Sequence, residues 1–118
     1  MTKHLIAVYG TLKRGMWNHH YLVTSKFVKM AHTGSGYALF VESLPFLVKR
    51  EDGRGCFVEI FEVSEDVLKD LDSLEGHPTF YKRQFLMKLD DRNVEIYILN
   101  NNDFDKDPIE NAKESFDP

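Results

Sequence analysis

A single cysteine, Cys56, among 118 residues excludes an internal disulfide. It sits beside Phe57, Val58 and Ile60, where a small buried thiol is expected, and no basic neighbour or helix start is evident to lower its pKa. That usage points to a reducing, cytoplasmic setting. No run of about 18 consecutive apolar residues exists, so no membrane-spanning helix is expected. The start, Met1-Thr2-Lys3-His4, leads directly into a short apolar segment, as in a soluble, unexported chain. A basic excess is also missing. Lys and Arg number 15 against 19 Asp and Glu, a formal net charge of −4, which argues against nucleic acid as a partner.

Several chemical signatures are absent too. There is no Gly-x-Ser-x-Gly elbow for a serine nucleophile. Neither His-x-x-x-His nor Cys-x-x-Cys spacing occurs, and the adjacent His19 and His20 would point about 100° apart on a helix, so no metal is expected. Gly10 and Gly15 are spaced like the first half of a phosphate loop, but Met16-Trp17 stand where Lys-Ser/Thr is required. No cofactor and no obligate protein partner is called for.

What the chain does have is apolar bulk. It is 42% hydrophobic and 13% aromatic, with nine Phe and five Tyr, enough to order one domain without staples. Residues 4–9 read as a buried strand that breaks at Gly10, and Asn18 is placed to cap a short helix over 19–23. Two extended runs follow within 26–41, split at Gly34-Ser35-Gly36. A short apolar piece at 45–48 is then joined through Glu51-Asp52-Gly53-Arg54-Gly55 to a strand over 56–63, with a hairpin across that turn. Ser64 as N-cap, Glu65 and Asp66 in the first turn, and Gly76 with Pro78 beyond predict a helix over 65–75. A second hairpin joins 81–89 to 94–99. Residues 1–100 are read as a single domain. The acidic tail, 101–118, is read as peripheral or disordered, with Phe104, Ile109 and Phe116 as its only staples. Strands outnumber helices without regular βαβ alternation, which gives an α+β class with the sheet closed into a small mixed barrel and a few flanking helices.

Glu75 stands out on that helix. Taking about 100° per residue from Val67, Leu71 falls near 40°, Leu68 near 100° and Leu74 near 340°, and Glu75 lies at about 80°, inside the apolar arc. A carboxylate there would be desolvated and close to the negative helix end, which raises its pKa and suits a general base or acid. The alternative is a helix that frays by Leu74 and releases Glu75 to solvent. Tyr9-Gly10-Thr11-Leu12-Lys13 lies where a strand gives way to a loop. Backbone N–H groups there can converge on an anion, or the segment is simply a strand end turning on glycine. Tyr81 and Arg83 share a strand face just past Glu75 and either line the same cavity or are a buried Tyr with an Arg reaching solvent.

Taken together, Tyr9-Gly10-Thr11-Leu12-Lys13 with Gly15, Asn18 and Leu22, then Leu71-Asp72-Ser73-Leu74-Glu75-Gly76 and Tyr81-x-Arg83, resemble the γ-glutamylcyclotransferase-like family, and within it the γ-glutamylamine cyclotransferases. The resemblance spans about residues 4 to 99 in family order and implies a small mixed β-barrel. It implies that Tyr9, Gly10, Thr11 and Leu12 hold the glutamyl part of a small-molecule substrate and that Glu75 transfers protons, releasing 5-oxoproline and a free amine. In one strand, Val58-Glu59-Ile60-Phe61-Glu62-Val63 replaces the family's usual Gly-Glu-Leu-Tyr-Glu-Val, so Val58 takes the place of a glycine and predicts a narrower cavity. A barrel that binds a small anion without turning it over is the alternative function.

Overall fold

The longest run of buried positions among the described residues, 5–10, starts in strand β1 (Lys3–Val8), whose last four residues are all buried. In the computed structural model, which describes residues 3–100 and 104–117, this strand lies in the middle of a five-stranded sheet. The sheet order is β2 (Lys26–His32), β5 (Phe57–Ser64), β1, β7 (Arg92–Leu99) and β6 (Tyr81–Leu89). β1 runs antiparallel to β5 and parallel to β7, so it is covered along both edges as well as both faces. Its uninterrupted apolar sequence follows from that position.

Alternation sorts the side chains into two clusters. Ile6 and Val8 of β1, Phe61 and Val63 of β5, and Tyr97 and Leu99 of β7 pack together with Leu68 and Leu71 of helix α1 (Glu65–Glu75). Leu5, Ala7, Ile60, Val94, Ile96 and Ile98 point the other way and pack with Cys56 and Val58. A separate hairpin, β3 (Tyr37–Val41) and β4 (Pro45–Lys49), contributes Phe40 and Val48 to the first cluster and Leu39 and Leu47 to the second.

Helix α1 has the expected ends. The Ser64 hydroxyl accepts a hydrogen bond from Val67 N at 3.2 Å, and Gly76 adopts a left-handed conformation at φ 66° that stops the helix. The β6–β7 hairpin forms with a tighter turn than read, through Asp90 and Asp91, both at positive φ, so that β7 starts at Arg92 and not at 94.

Two readings are corrected, and the barrel is left without support from the strand pairings. No β4–β5 hairpin forms across 51–55, because β4 pairs back onto β3 while β5 pairs with β1 and β2. The 19–23 helix is a single 3₁₀ turn, His19–Leu22, with no side-chain cap from Asn18, whose amide is used elsewhere. The strand pairings of the described residues form an open five-strand order and a separate two-strand hairpin, and do not include a closed barrel ladder. The coarser α+β reading, a mostly sheet core with one α-helix, stands.

Residues 101–103 and 118 of the acidic tail lie outside the described residues. The part over 104–117 is docked, not peripheral. Phe104 is 6% exposed and stacks on Phe40 at a centroid distance of 5.1 Å, and Phe116 is 7% exposed. Lys113 N donates to Leu39 O, Phe57 N donates to Glu114 O, and the Arg50 guanidinium donates to the carbonyls of Phe104 and Asp107. These bonds satisfy backbone groups that a frayed tail would leave to water. Phe104→Ala should therefore cost about 3 kcal/mol in urea unfolding. A cost below about 0.5 kcal/mol, the size of an ordinary surface substitution, would show that this segment is not part of the core.

Candidate functional site

In the loop after β1 the carbonyls of Gly10, Thr11, Leu12 and Lys13 are all consumed, whereas the amides of Gly10, Thr11 and Leu12 are not. Gly10 O accepts from Lys13 N at 3.0 Å, Thr11 O from Asn18 N at 2.9 Å, and Lys13 O from Met16 N at 3.0 Å. Leu12 O lies 2.9 Å from His19 Nδ1, which is the donor in the corresponding tautomer. Among the described residues, the N–H groups of Gly10, Thr11 and Leu12 have no acceptor. Three consecutive free amides following a buried strand are the elements of an anion-binding nest. Asn18 also holds the Thr11 side chain, its Nδ2 donating to Thr11 Oγ1 at 3.0 Å. That is the role it takes in place of helix capping.

Gly10 is required by close approach. A Cβ built there would meet Pro45 Cγ at 2.4 Å, so only glycine lets the loop pass over the start of β4. Pro45 is in turn held from the other side, since its carbonyl accepts the Tyr81 hydroxyl at 3.0 Å.

Tyr9, Gly10, Thr11 and Leu12 line one cavity of about 160 Å³ together with Glu75. The structure thus brings the five sequence-read site residues to a single place. Helix α1 remains intact through Glu75, the left-handed Gly76 ends it immediately afterwards, and the Glu75 side chain is half-buried. Among the described residues no hydrogen bond or ion pair reaches the Glu75 carboxylate. Burial alone pushes its pKa up, to about 7. Tyr9, Tyr81 and Tyr97 complete the polar wall. Burial, with Glu75 adding to it, pushes all three phenols well above their ordinary range, so they remain neutral. The Tyr9 hydroxyl donates to Tyr97 O at 2.9 Å, which pins the first residue of the loop motif to the sheet. Leu44, Leu74 and Phe80 form a largely exposed apolar rim.

Tyr81 and Arg83 part company. Tyr81 faces the cavity, whereas the Arg83 guanidinium donates to both carboxylate oxygens of Asp72, at 2.9 and 3.0 Å, and to Glu95 at 2.9 Å. Burial raises the Asp72 pKa, but the bonds from Arg83 and from the Tyr97 hydroxyl outweigh it and hold the carboxyl below its usual value. Asp72 lies one helical turn before Glu75, so this cluster fastens the end of α1 to β6 and β7. The two acids of one helix thereby acquire opposite character: Asp72 is paired and ionised, Glu75 unpaired and partly neutral.

Val58 does not narrow this cavity. It is fully buried in the second cluster and is absent from the lining, so the expected constriction gives way to a position beneath the loop. The Cys56 thiol is also away from the cavity and burial pushes its pKa up to about 12, which leaves it a core residue. The histidines are used singly, His4 against Glu65 and His77 as acceptor from Arg83 N. Tyr97, Pro45 and Leu44 were not legible as site residues, because they reach the cavity through long-range pairing, while Phe80 is brought there locally, its N–H donating to Gly76 O at 2.9 Å.

Comparison with known proteins gives a consistent result. Residues 6–117 match the family model described as gamma-glutamyl cyclotransferase, AIG2-like. The chain is 40% identical over 92 residues to a protein of Methanocaldococcus jannaschii provisionally named a gamma-glutamylcyclotransferase, an alignment covering 77% of each chain. It is 38% identical over 92 residues to the gamma-glutamylaminecyclotransferase of Rattus norvegicus, covering 69% of this chain and 60% of that one. The crystal structure of an AIG2-like protein from Mus musculus superimposes with a TM-score of 0.83 at 26% identity, covering 99% of this chain and 90% of that one. The chain belongs to the AIG2-like gamma-glutamylcyclotransferase family.

Proposed function

We propose that this protein is a cytoplasmic enzyme of the γ-glutamylamine cyclotransferase kind, converting γ-glutamyl amines or amides into 5-oxoproline and the free amine. The observation that carries this reading is the Glu75 carboxylate, half-buried and unpaired, in one cavity with the free amides of Gly10, Thr11 and Leu12.

The chemistry needs one base, one acid and one anion site. In a γ-glutamyl amide the α-amino nitrogen can reach the γ-carbonyl carbon to close a five-membered ring. Glu75 in its carboxylate form takes a proton from the α-ammonium, and the freed nitrogen lone pair attacks the γ-carbonyl. A new C–N bond forms, the old amide C–N bond breaks, and the departing nitrogen receives the proton from Glu75. The second proton that the attacking nitrogen sheds on becoming the ring N–H also ends on the released amine, which leaves as an ammonium. Glu75 then ends as it began. No water is consumed. A group with pKa near the working pH is suited to both halves of that exchange. The loop amides hold the substrate α-carboxylate or the oxyanion that forms on the γ-carbonyl oxygen. Folding the substrate into this geometry supplies several kcal/mol of the barrier.

Two outcomes test the reading. Glu75→Gln keeps the shape and removes the base, so 5-oxoproline release should fall by about 10² to 10⁴. In the unaltered protein kcat/KM should climb with pH and level off above about 7. Full release by a folded Gln variant would contradict the role given to Glu75, and tight binding of γ-glutamyl amines with no product would favour the non-catalytic alternative.

The same residue leaves a signature in stability. Its folded pKa is raised, so the neutral form is the one the fold favours. Stability from this group is full below about 4.5 and is lost as pH rises through about 7. Glu75→Gln should be close to neutral at pH 4 and stabilising by about 2 kcal/mol at pH 8. Urea unfolding at the two pH values checks it, and equal effects at both would mean that the carboxylate is solvated.

A further inference from the structure

Only two charged side chains are buried among the described residues, Lys13 and Glu59, and neither reaches the cavity that holds Glu75. Lys13 belongs to the loop that supplies the free amides, and Glu59 bonds to the next residue along, Arg14. Glu59 is 7% exposed and sits on β5, where it is paired in register with Val8, the last residue of the strand that feeds the loop. It shares its strand face with Phe61 and Val63, both core residues, so a carboxylate here interrupts an otherwise apolar row. Burying it carries a cost that the contacts it makes must offset.

Those contacts go to one place. Glu59 Oε1 accepts from the backbone N–H of Arg14 at 2.9 Å and lies 3.4 Å from Arg14 Nε, and Oε2 accepts from Arg14 Nη2 at 3.5 Å. The Arg14 guanidinium is itself stacked 3.7 Å over the Phe27 ring, which fixes it against β2. Arg14 follows directly on Lys13, whose N–H closes the turn onto Gly10 O. A main-chain clamp on residue 14 therefore sets where the 10–13 turn ends, while β1 sets where it begins. With both ends fixed, the free amides of Gly10, Thr11 and Leu12, residues that line the cavity, do not need the ligand to order the loop. Lys13 contributes a second fastening, donating to Ser115 Oγ at 3.4 Å. Its ammonium lies 3.9 Å from Asp117 Oδ1, and the Arg14 guanidinium alone offsets the Glu59 charge.

We infer that Glu59 is a positioning residue for the proposed reaction, holding the Gly10–Leu12 amides in the orientation that binds the substrate carboxylate or oxyanion through its bond to Arg14 N. This rests on the function proposed above, and it reaches that function through the loop, not through the reacting atoms.

The experiment compares Glu59→Asp, Glu59→Ala and Glu59→Gln. Asp keeps the charge but withdraws the oxygens by one methylene, Ala removes them, and Gln keeps an oxygen acceptor at the same reach. Asp and Ala should raise KM for a γ-glutamyl amine about tenfold or more with a smaller change in kcat, and the pH midpoint set by Glu75 should stay in place. Gln should restore KM to within about threefold of the unaltered protein. In parallel, backbone ¹⁵N relaxation of Thr11 and Leu12 in the ligand-free proteins should show new motion in the Asp variant and none in the Gln variant. Unchanged KM and unchanged relaxation in Asp would overturn the proposal, as would a Gln variant no better than Ala. If Ala fails to fold, the Asp and Gln pair decides alone. Should the unaltered protein release no 5-oxoproline from any substrate, the proposed function fails, and the relaxation comparison still decides whether Glu59 holds the loop.

Discussion

One carboxylate without a countercharge governs the chemistry available to this fold. Glu75 is carried into the first core cluster's margin by a helix that Leu68 and Leu71 anchor and Gly76 terminates, so its depth is set by packing and its neighbourhood by where the helix stops. With no guanidinium or ammonium paired to it among the described residues, burial is what moves its pKa, and burial favours the neutral form. Asp72, three residues earlier, shows what the alternative looks like. Given Arg83 and the Tyr97 hydroxyl, a carboxylate on the same helix is held ionised and serves as a structural tie.

The loop opposite Glu75 presents the complementary character. Its carbonyls are taken up by Lys13, Asn18, His19 and Met16, which leaves donors and not acceptors free at residues 10–12. An anion is thus recognised by main-chain groups that carry no net charge. The arrangement places a fixed dipolar site for a carboxylate or oxyanion in the same small volume as a group that can gain or lose a proton near neutrality. The membership of the chain in the AIG2-like gamma-glutamylcyclotransferase family agrees with a site of that kind. No helix among the described residues is long and apolar enough to cross a membrane.

Local signals in the sequence proved informative where a local rule decides the structure. Ser64, Gly76 and the 100° spacing fix α1 and place Glu75 on its apolar side, and Asp90-Asp91 fixes the β6–β7 turn. They failed where partner choice is long-range. Nothing in residues 45–63 says that β4 returns to β3 while β5 crosses to β1, and the polar Gly-rich turn between them imitates a hairpin. The acidic stretch after Asn100 looks dispensable by composition, yet Phe104 and Phe116 are buried because the sheet supplies partners that lie far away in sequence. Asn18 likewise reads as a helix cap, and the loop it actually braces is seven residues upstream. Glu59 sits in an apolar strand row as Glu75 sits in an apolar helix arc, but its meaning depends on Arg14 N, 45 residues away.

The protonation state of Glu75 is read most directly by titrating its side-chain ¹³C carboxyl resonance between pH 3 and pH 9. A midpoint at about 7 is the expected result. A midpoint near 4.5, the ordinary value for a solvated glutamate, would mean that the carboxylate is not held dry and would remove the basis for assigning it proton transfer.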